Sequence, residues 1–269
     1  MSKIKSKSKE YISELEEKII NLSLKLKSKT TQLNSLNLAN KKAISKLIHN
    51  LKNPIGAVYS FSDMIIEDID DYSKEKLEKH LHIIKNSATF SIQLLNTIAK
   101  YSQLQSPDLK YDLKNLNYIN LVNNVIAEFN VMAEEKNSRI ETDFPENALF
   151  LTVDEAEISL AIRNIINNAI RYSNENSTIK IMIKETSNTV ETIINDEGIG
   201  ISEENLPLVL NDFFVVNTYS NDKQKCIGLG LSIANKIIEH HNGKIIITSV
   251  FQKGANVKIT LPKNSATLF

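Results

Sequence analysis

The sequence predicts a helical N-terminal part followed by an α/β sandwich, and three observations carry that prediction. Ile12, Leu15, Ile19, Leu22, Leu26, Lys29, Leu33, Leu36, Asn40, Ala43 and Leu47 recur at alternating steps of three and four residues, which is a heptad seam. A helical apolar periodicity returns between Ser73 and Gln105, after a polar break at Asp70-Asp71-Tyr72-Ser73. From about residue 115 onward, short runs rich in isoleucine and threonine alternate with helical patterns, as expected for one sheet covered on one face by helices.

The seam covers about five heptads, enough to prefer a coiled coil. Asn40 falls at an a position, where a buried asparagine commonly fixes register in a dimer. The same register puts His49 at a c position, facing outward. Ala43, Ile44, Leu47, Ile48, Leu51, Ile55 and Val58 continue the helical spacing, so the coil and the histidine segment should form one rod. Pro54 lies inside that helix, removes a backbone hydrogen bond and predicts a kink. In the second helix Leu77, Leu81, Ile84, Ala88, Ile92, Leu95 and Ile98 share one expected face, and Ser106-Pro107 ends it. Neither helix of this hairpin can bury its stripe alone. Pairing two hairpins into a four-helix bundle is the simplest solution, which makes the chain a homodimer.

The second part reads as a strand near 117–119, a helix over about 121–136, and strands near 139–144 and 149–152. A helix over 155–172 and strands at 178–184 and 189–195 follow. A helix near 203–210, a polar stretch from 216 to 226, a helix over 229–240 and strands at 244–249 and 256–260 complete it. The expected divisions are a coiled coil (1–40), a helical hairpin (41–106), a linker (107–114), an α/β domain (115–263) and a tail (264–269).

Composition sets outer limits. Hydrophobic content of 42% and charged content of 24% across 269 residues fit a globular protein of about two domains. Net charge is zero but unevenly placed: residues 1–47 hold eleven lysines against four glutamates, and the remainder holds 21 basic against 28 acidic side chains. No arginine or aromatic interleaving accompanies the basic helix, so it reads as a solvated coiled-coil face and not as a nucleic-acid surface. The lone Cys226 excludes an internal disulfide and fits a reducing compartment. No apolar run approaches the roughly 18 residues of a membrane span. The lysines near the start are not followed by an apolar signal core. A cytoplasmic protein with no transmembrane segment is expected.

Three spots in the second part have the character of a nucleotide site. In Arg163-Asn164-Ile165-Ile166-Asn167-Asn168-Ala169-Ile170-Arg171-Tyr172, Asn164 and Asn168 stand four apart on one helix face. Their carboxamide oxygens could help to hold Mg2+, which prefers hard oxygen ligands. Alone, the stretch also fits a polar patch on a surface helix. Asp196-Glu197-Gly198-Ile199-Gly200 follows a strand, where a carboxylate can accept a hydrogen bond from an exocyclic amine such as that of adenine, although plain turns share this composition. Gly228-Leu229-Gly230-Leu231 opens a helix, whose first N–H groups suit an anion. The polar residues before it, Asn217 to Lys225, read as a mobile lid over phosphates.

Taken in this order after His49-Asn50-Leu51-Lys52-Asn53-Pro54, these segments resemble the sensor histidine kinases of two-component systems across residues 41–263. His49 to Pro54 is similar to the family's H box, Asn164 to Tyr172 to its N box, and Asp196 to Gly200 to its G1 box. Phe213 is similar to the F box and Gly228 to Leu231 to the G2 box. The resemblance implies a dimeric phosphotransfer bundle followed by an ATP-binding domain of the Bergerat fold. It implies that His49 accepts the γ-phosphoryl group of ATP and passes it to an aspartate of a response-regulator receiver domain. By the same likeness, Asn168 and Asn164 hold Mg2+, Arg171 contacts phosphate, Tyr172 flanks adenine, and Asp196 reads its amine. Gly198, Gly200, Gly228 and Gly230 shape the pocket and lid hinge. Asn53 matches the position implied in dephosphorylating the partner, and input is expected from a separate sensor protein or from the coil itself. The family usually carries an acid where Asn50 stands, and an amide has no useful basic site, so slow self-phosphorylation is expected. Leu210, Val215, Cys226 and Ile227 also depart from the family's lid pattern. Two alternatives remain: a weakly active dimeric scaffold or phosphatase, and an ATPase of the gyrase and chaperone superfamily. Members of the latter carry a glutamate base where Asn164 stands.

Overall fold

In this computed structural model the described residues are 2–216 and 226–263, with side chains described only in part before residue 47. The expected lid, Asn217 to Lys225, and the tail 264–269 lie outside them. Two compact units divide between Ser87 and Ala88.

In the first unit, helix α1 (Ser2–Glu67) runs without interruption through Pro54. The coil and the histidine segment are therefore one helix. Along the heptad seam Leu22 and Leu26 are exposed, while the side chains of Ile12, Leu15, Ile19, Leu33, Leu36, Asn40 and Ala43 lie outside the described residues. From Leu47 onward α1 carries two apolar stripes. Leu47, Leu51, Pro54, Val58 and Phe61 are half-buried. Ile44, Ile48, Ile55, Tyr59 and Ile66 are exposed by 50% or more.

A 3-10 turn (Ile69–Asp71) reverses the chain into α2 (Lys74–Leu104). Ser73 starts α2 by accepting the Lys76 N–H on Oγ at 3.2 Å. His80 closes the hairpin, with its ring edge-on to Phe61 and Tyr72 at 4.8 and 5.5 Å. Tyr72 Oη lies 2.9 Å from His80 Nδ1. The single stripe expected on α2 divides: Leu77, Ile84 and Ala88 turn inward with Ile83, Ser91 and Leu94, whereas Leu81, Ile92 and Leu95 are exposed.

The second unit holds two sheets. Strand β1 (Leu113–Asn117) pairs antiparallel with β3 (Phe150–Asp154). Strands β2 (Arg139–Asp143), β4 (Thr178–Glu185), β5 (Thr189–Asn195), β6 (Lys244–Ser249) and β7 (Ala255–Pro262) form a mixed sheet in the order β2-β4-β5-β7-β6. Only the β2–β4 pair is parallel. Ile179, Ile181 and Ile183 on β4, Val190 and Ile194 on β5, and Val257, Ile259 and Leu261 on β7 alternate inward. The outward residues Lys180, Glu191 and Lys258 keep to the other face, the pattern of a sheet with one wet side.

Helices α3 (Tyr118–Ala127), α4 (Asn130–Glu135), α5 (Glu155–Tyr172) and α6 (Gly230–His240) supply the cover. The Tyr118 hydroxyl meets Thr192 Oγ1 at 2.7 Å in the core between helix and sheet. Burial pushes that phenol up to about 12.

Several expected boundaries shift. The strand expected at 117–119 is β1, which ends at Asn117, because the Asn117 side chain caps α3 by accepting the Ile119 N–H at 3.1 Å. The helix expected over 121–136 breaks at Glu128-Phe129, whose N–H groups bond three residues back to Val125 and Ile126 while Phe129 is buried. The helix expected over 203–210 shortens to a 3-10 turn at Leu206–Leu208, with Pro207 at its start. Among the described residues no helix is long and apolar enough to cross a membrane.

Candidate active site

Helix α5 carries most of the polar side chains of the site, and both of its ends are clamped. Asp154 caps its start: Oδ1 accepts the Glu157 N–H at 3.1 Å and Oδ2 accepts the Asp112 N–H at 2.9 Å. The Asp154 N–H donates to buried His241 Nε2 at 3.2 Å, and His241 Nδ1 donates to the Ile237 carbonyl at 2.7 Å. Burial lowers the pKa of that imidazole, consistent with the neutral tautomer these two bonds require. At the far end, Lys136 Nζ donates to the Ile170 and Arg171 carbonyls at 2.9 and 3.0 Å. A cation on the last carbonyls also suits the helix dipole. Glu128 grips Arg163 through two 2.7 Å bonds, tying α5 to α3.

Asn164, Asn168, Arg171 and Tyr172 therefore project from a fixed helix into one cavity of about 630 Å³, within the usual range for small-ligand sites. Asp196 and Gly200 meet them from the loop after β5, and Gly228, Gly230 and Leu231 from the start of α6. Each of the three spots found in the sequence thus contributes to the same cavity.

The Tyr172 end of α5 is stitched to the β5 loop. The Ile199 N–H donates to the Tyr172 carbonyl at 3.1 Å, and Ser173 bridges to Gly198. Asp196 accepts the Gly198 N–H at 2.9 Å and the Ala255 N–H at 3.2 Å, both on Oδ1. The second oxygen, Oδ2, is thereby left for a ligand donor. Burial raises the carboxyl to about 6 against those two stabilising bonds.

Gly228 sits at φ +79°, and a Cβ there would meet the Phe214 carbonyl oxygen at 2.5 Å, so the chain passes residues 213–214 at a distance only glycine allows. Gly230 begins α6 beside Asn164, and a Cβ there would lie 3.4 Å from Oδ1. The site can present amide donors to an anion at a helix N-terminus.

Not every sequence candidate lines the cavity. Leu229 is fully buried in the core, and Gly198 serves as backbone beside Asp196. Phe213, at φ +61°, packs edge-on against Tyr101 near the end of α2, while its neighbour Phe214 lines the cavity instead. Cys226 is buried, with Sγ 3.1 Å from the Tyr172 hydroxyl. In the first unit His49 and Asn53 are exposed, and Asn50 is buried at 4% exposure. Sequence reasoning passed over Asn167, a lining residue on the face of α5 that holds Asn164 and Asn168, and its one-turn spacing was the signal.

Residues 153–265 match the family described as Histidine kinase-, DNA gyrase B-, and HSP90-like ATPase. Across 86% of its length the chain is 25% identical to sensor histidine kinase WalK of Bacillus subtilis, and it spans 38% of that protein. The catalytic domain of histidine kinase ThkA superposes with a TM-score of 0.51 at 26% identity, covering 57% of this chain and 97% of that one. A longer ThkA structure, solved in complex with response regulator protein TrrA, shares the fold at a TM-score of 0.66 and 24% identity. It covers 82% of this chain and 61% of that one.

The cavity in this part of the chain has groups that suit a magnesium nucleotide. Asn164 and Asn168 offer neutral hard oxygens on one face, and among the described lining residues Asp196 is the single carboxylate. The donor set fits Mg2+ shared with a triphosphate, because an ion held mainly by substrate phosphates needs few protein ligands.

Proposed function

We propose that this chain is an ATP-dependent protein-histidine kinase that phosphorylates itself on His49 and passes the phosphoryl group to an aspartate of a response regulator. The observation that carries the reading is the convergence of Asn164, Asn168, Arg171, Tyr172, Asp196 and Gly230 on one cavity, in a chain that also carries an exposed His49.

In this reading Asp196 Oδ2 accepts the adenine amine, Tyr172 flanks the base, and Arg171 faces phosphate. The first turn of α6 receives the phosphate chain through its free N–H groups. Asn168 with Asn164 would hold Mg2+, which would supply neutralising charge to the phosphates. An imidazole nitrogen of His49 attacks the γ-phosphorus: the N–P bond forms, the bond to the ADP oxygen breaks, and the ring proton leaves to solvent. In the second step a receiver carboxylate oxygen forms the new P–O bond and the N–P bond breaks. Transfer is favoured over hydrolysis because Asn164, an amide, stands where a water-activating base would be needed.

The exposed apolar stripe of α1, with Leu81, Ile92 and Leu95 of α2, supports a homodimer through paired hairpins. The complex of ThkA with TrrA supports a receiver-domain partner. Asn53, one turn beyond His49 and exposed, would orient a water for the separate phosphatase reaction, in which that water attacks the phosphorus of the regulator's phospho-aspartate and inorganic phosphate leaves. ATP as substrate implies a cytoplasmic catalytic domain.

Incubation with γ-labelled ATP tests the proposal. An acid-labile, base-stable label that disappears in His49→Gln is expected; equal labelling of the variant overturns the assignment.

A further inference from the structure

The turn between β6 and β7 is docked on the loop that carries Asp196. The Ile201 N–H donates to Ser249 Oγ at 2.9 Å, and the Ser249 hydroxyl donates onward to the Gly254 carbonyl at 2.6 Å. One hydroxyl thus spends its proton on the turn and a lone pair on the loop. The Gln252 N–H donates to the Ile199 carbonyl at 2.7 Å, and the Asp196 N–H to the Ala255 carbonyl at 2.9 Å. The Ala255 N–H returns to Asp196 Oδ1. Contact is close enough that a Cβ on Gly254, at φ +90°, would fall 1.9 Å from the Asp196 carbonyl oxygen.

From these contacts we infer that Ser249 is a positioning residue for base selection: it locks the β6–β7 turn to the Asp196 loop and so fixes the carboxylate oxygen that reads the base. The inference rests on the nucleotide reading above and goes further, because it assigns discrimination between purines to a residue outside the cavity lining. The chemistry is one of matched donors and acceptors. Adenine presents an amine donor at the position where guanine presents a carbonyl acceptor, and a carboxylate oxygen held in place accepts from the first and repels the second.

Three backbone-to-backbone or backbone-to-carboxylate bonds join turn and loop besides Ser249, Asp196 to Ala255 in both directions and Gln252 to Ile199, while Val250 to Gly254 at 3.4 Å closes the turn itself. Among the described residues Ser249 supplies the side-chain link between the Ile201 N–H and the Gly254 carbonyl. Without its hydroxyl the Ile201 N–H and the Gly254 carbonyl lose their shared partner. The Ala255 N–H, one residue beyond Gly254, then no longer holds Asp196 Oδ1 in a single orientation.

The test is calorimetric titration of the full chain with ADP and with GDP, in the parent, Ser249→Ala and Ser249→Thr. The parent should bind ADP and discriminate against GDP. Ser249→Ala should weaken ADP about tenfold while leaving GDP unchanged, so the preference collapses by that factor. Ser249→Thr, which keeps the hydroxyl, should restore it. A purely structural serine would lower the melting temperature and weaken both nucleotides alike, and an unchanged ADP-to-GDP ratio in Ser249→Ala overturns the inference. A parent that binds neither nucleotide overturns the nucleotide reading itself; a parent that binds ADP while Ser249→Ala behaves identically overturns only the role of Ser249.

Discussion

Replacing Asp196 by asparagine should make the protein more stable and a worse nucleotide binder at the same time. Burial lifts this carboxyl from 3.8 to about 6, despite N–H donors from Gly198 and Ala255. At about 1.4 kcal/mol per unit, keeping it ionised costs folding up to about 3 kcal/mol above the folded pKa. The sign follows from the raised value. The stability is fully present below the unfolded pKa of 3.8 and is lost as pH rises through about 6. A neutral amide avoids that cost at neutral pH. Its orientation is dictated by the same two donors: Oδ1 must remain toward the Gly198 and Ala255 N–H groups, which turns Nδ2 into the cavity. An adenine amine then faces a donor instead of an acceptor. One unsatisfied polar contact costs about 1–3 kcal/mol, or roughly 5- to 150-fold in affinity. In the parent, protonation below pH 6 removes the acceptor too, so ADP should bind about tenfold more weakly at pH 5 than at pH 7.5. Calorimetric titrations from pH 5 to 8, with melting curves alongside, check all three statements. An Asp196→Asn variant that binds ADP like the parent, or a parent whose affinity is flat across that range, refutes the reasoning.

Three further outcomes are expected. Gly254→Ala forces a side chain into a left-handed backbone and against the Asp196 carbonyl, so urea denaturation should show a loss of about 1–3 kcal/mol. Gly56→Ala, inside α1 with nothing near the new methyl, should instead gain about 0.5–1 kcal/mol. Light scattering at micromolar concentration should give a dimeric mass for the parent. It should fall to a monomeric one for Ile55→Asp with Ile66→Asp, since both side chains are exposed within a single chain; a parent of monomeric mass contradicts the paired-hairpin reading.

The elements that were legible in the sequence are those whose periodicity is strong and whose ends carry a local signal. Helix α5 matches its expected span because seven buried apolar residues recur at helical spacing behind the Asp154 cap. Strands β5 and β6 match for a similar reason, with β-branched runs bounded by polar turns. Helices α3 and α4 did not separate in the sequence, because Phe129 continues the apolar pattern while its backbone tightens. On α2 the period was right and the face was mixed. A 3.6-residue repeat does not distinguish a stripe buried inside one hairpin from a stripe offered to a second copy, and Leu81 and Leu95 belong to the exposed set. The site divided in the same way. Side chains that line the cavity announced themselves by type, as Asn168 and Asp196 did. The turn that steadies Asp196 works through backbone bonds at Gln252, Gly254 and Ala255, which leave no trace in residue type beyond one glycine.

Asn50 shows how exposure changes a chemical argument that the sequence alone supports. His49 and Asn50 are neighbours, but each helical residue turns by about 100°, and here that step carries Asn50 to 4% exposure while His49 stays in solvent. A carboxylate at position 50 would be desolvated and its pKa driven upward, toward the range where a general base works best near neutral pH. The burial that makes an acid costly there is thus the same burial that would tune it. An amide escapes the cost and gives up the function, since it has no basic site to receive the ring proton. Under the proposed transfer, the proton leaving His49 has its open route on the exposed side of the helix, to water. Under that proposal the rate depends on how long the nucleotide site holds the γ-phosphate in line with the imidazole, more than on any group beside the histidine.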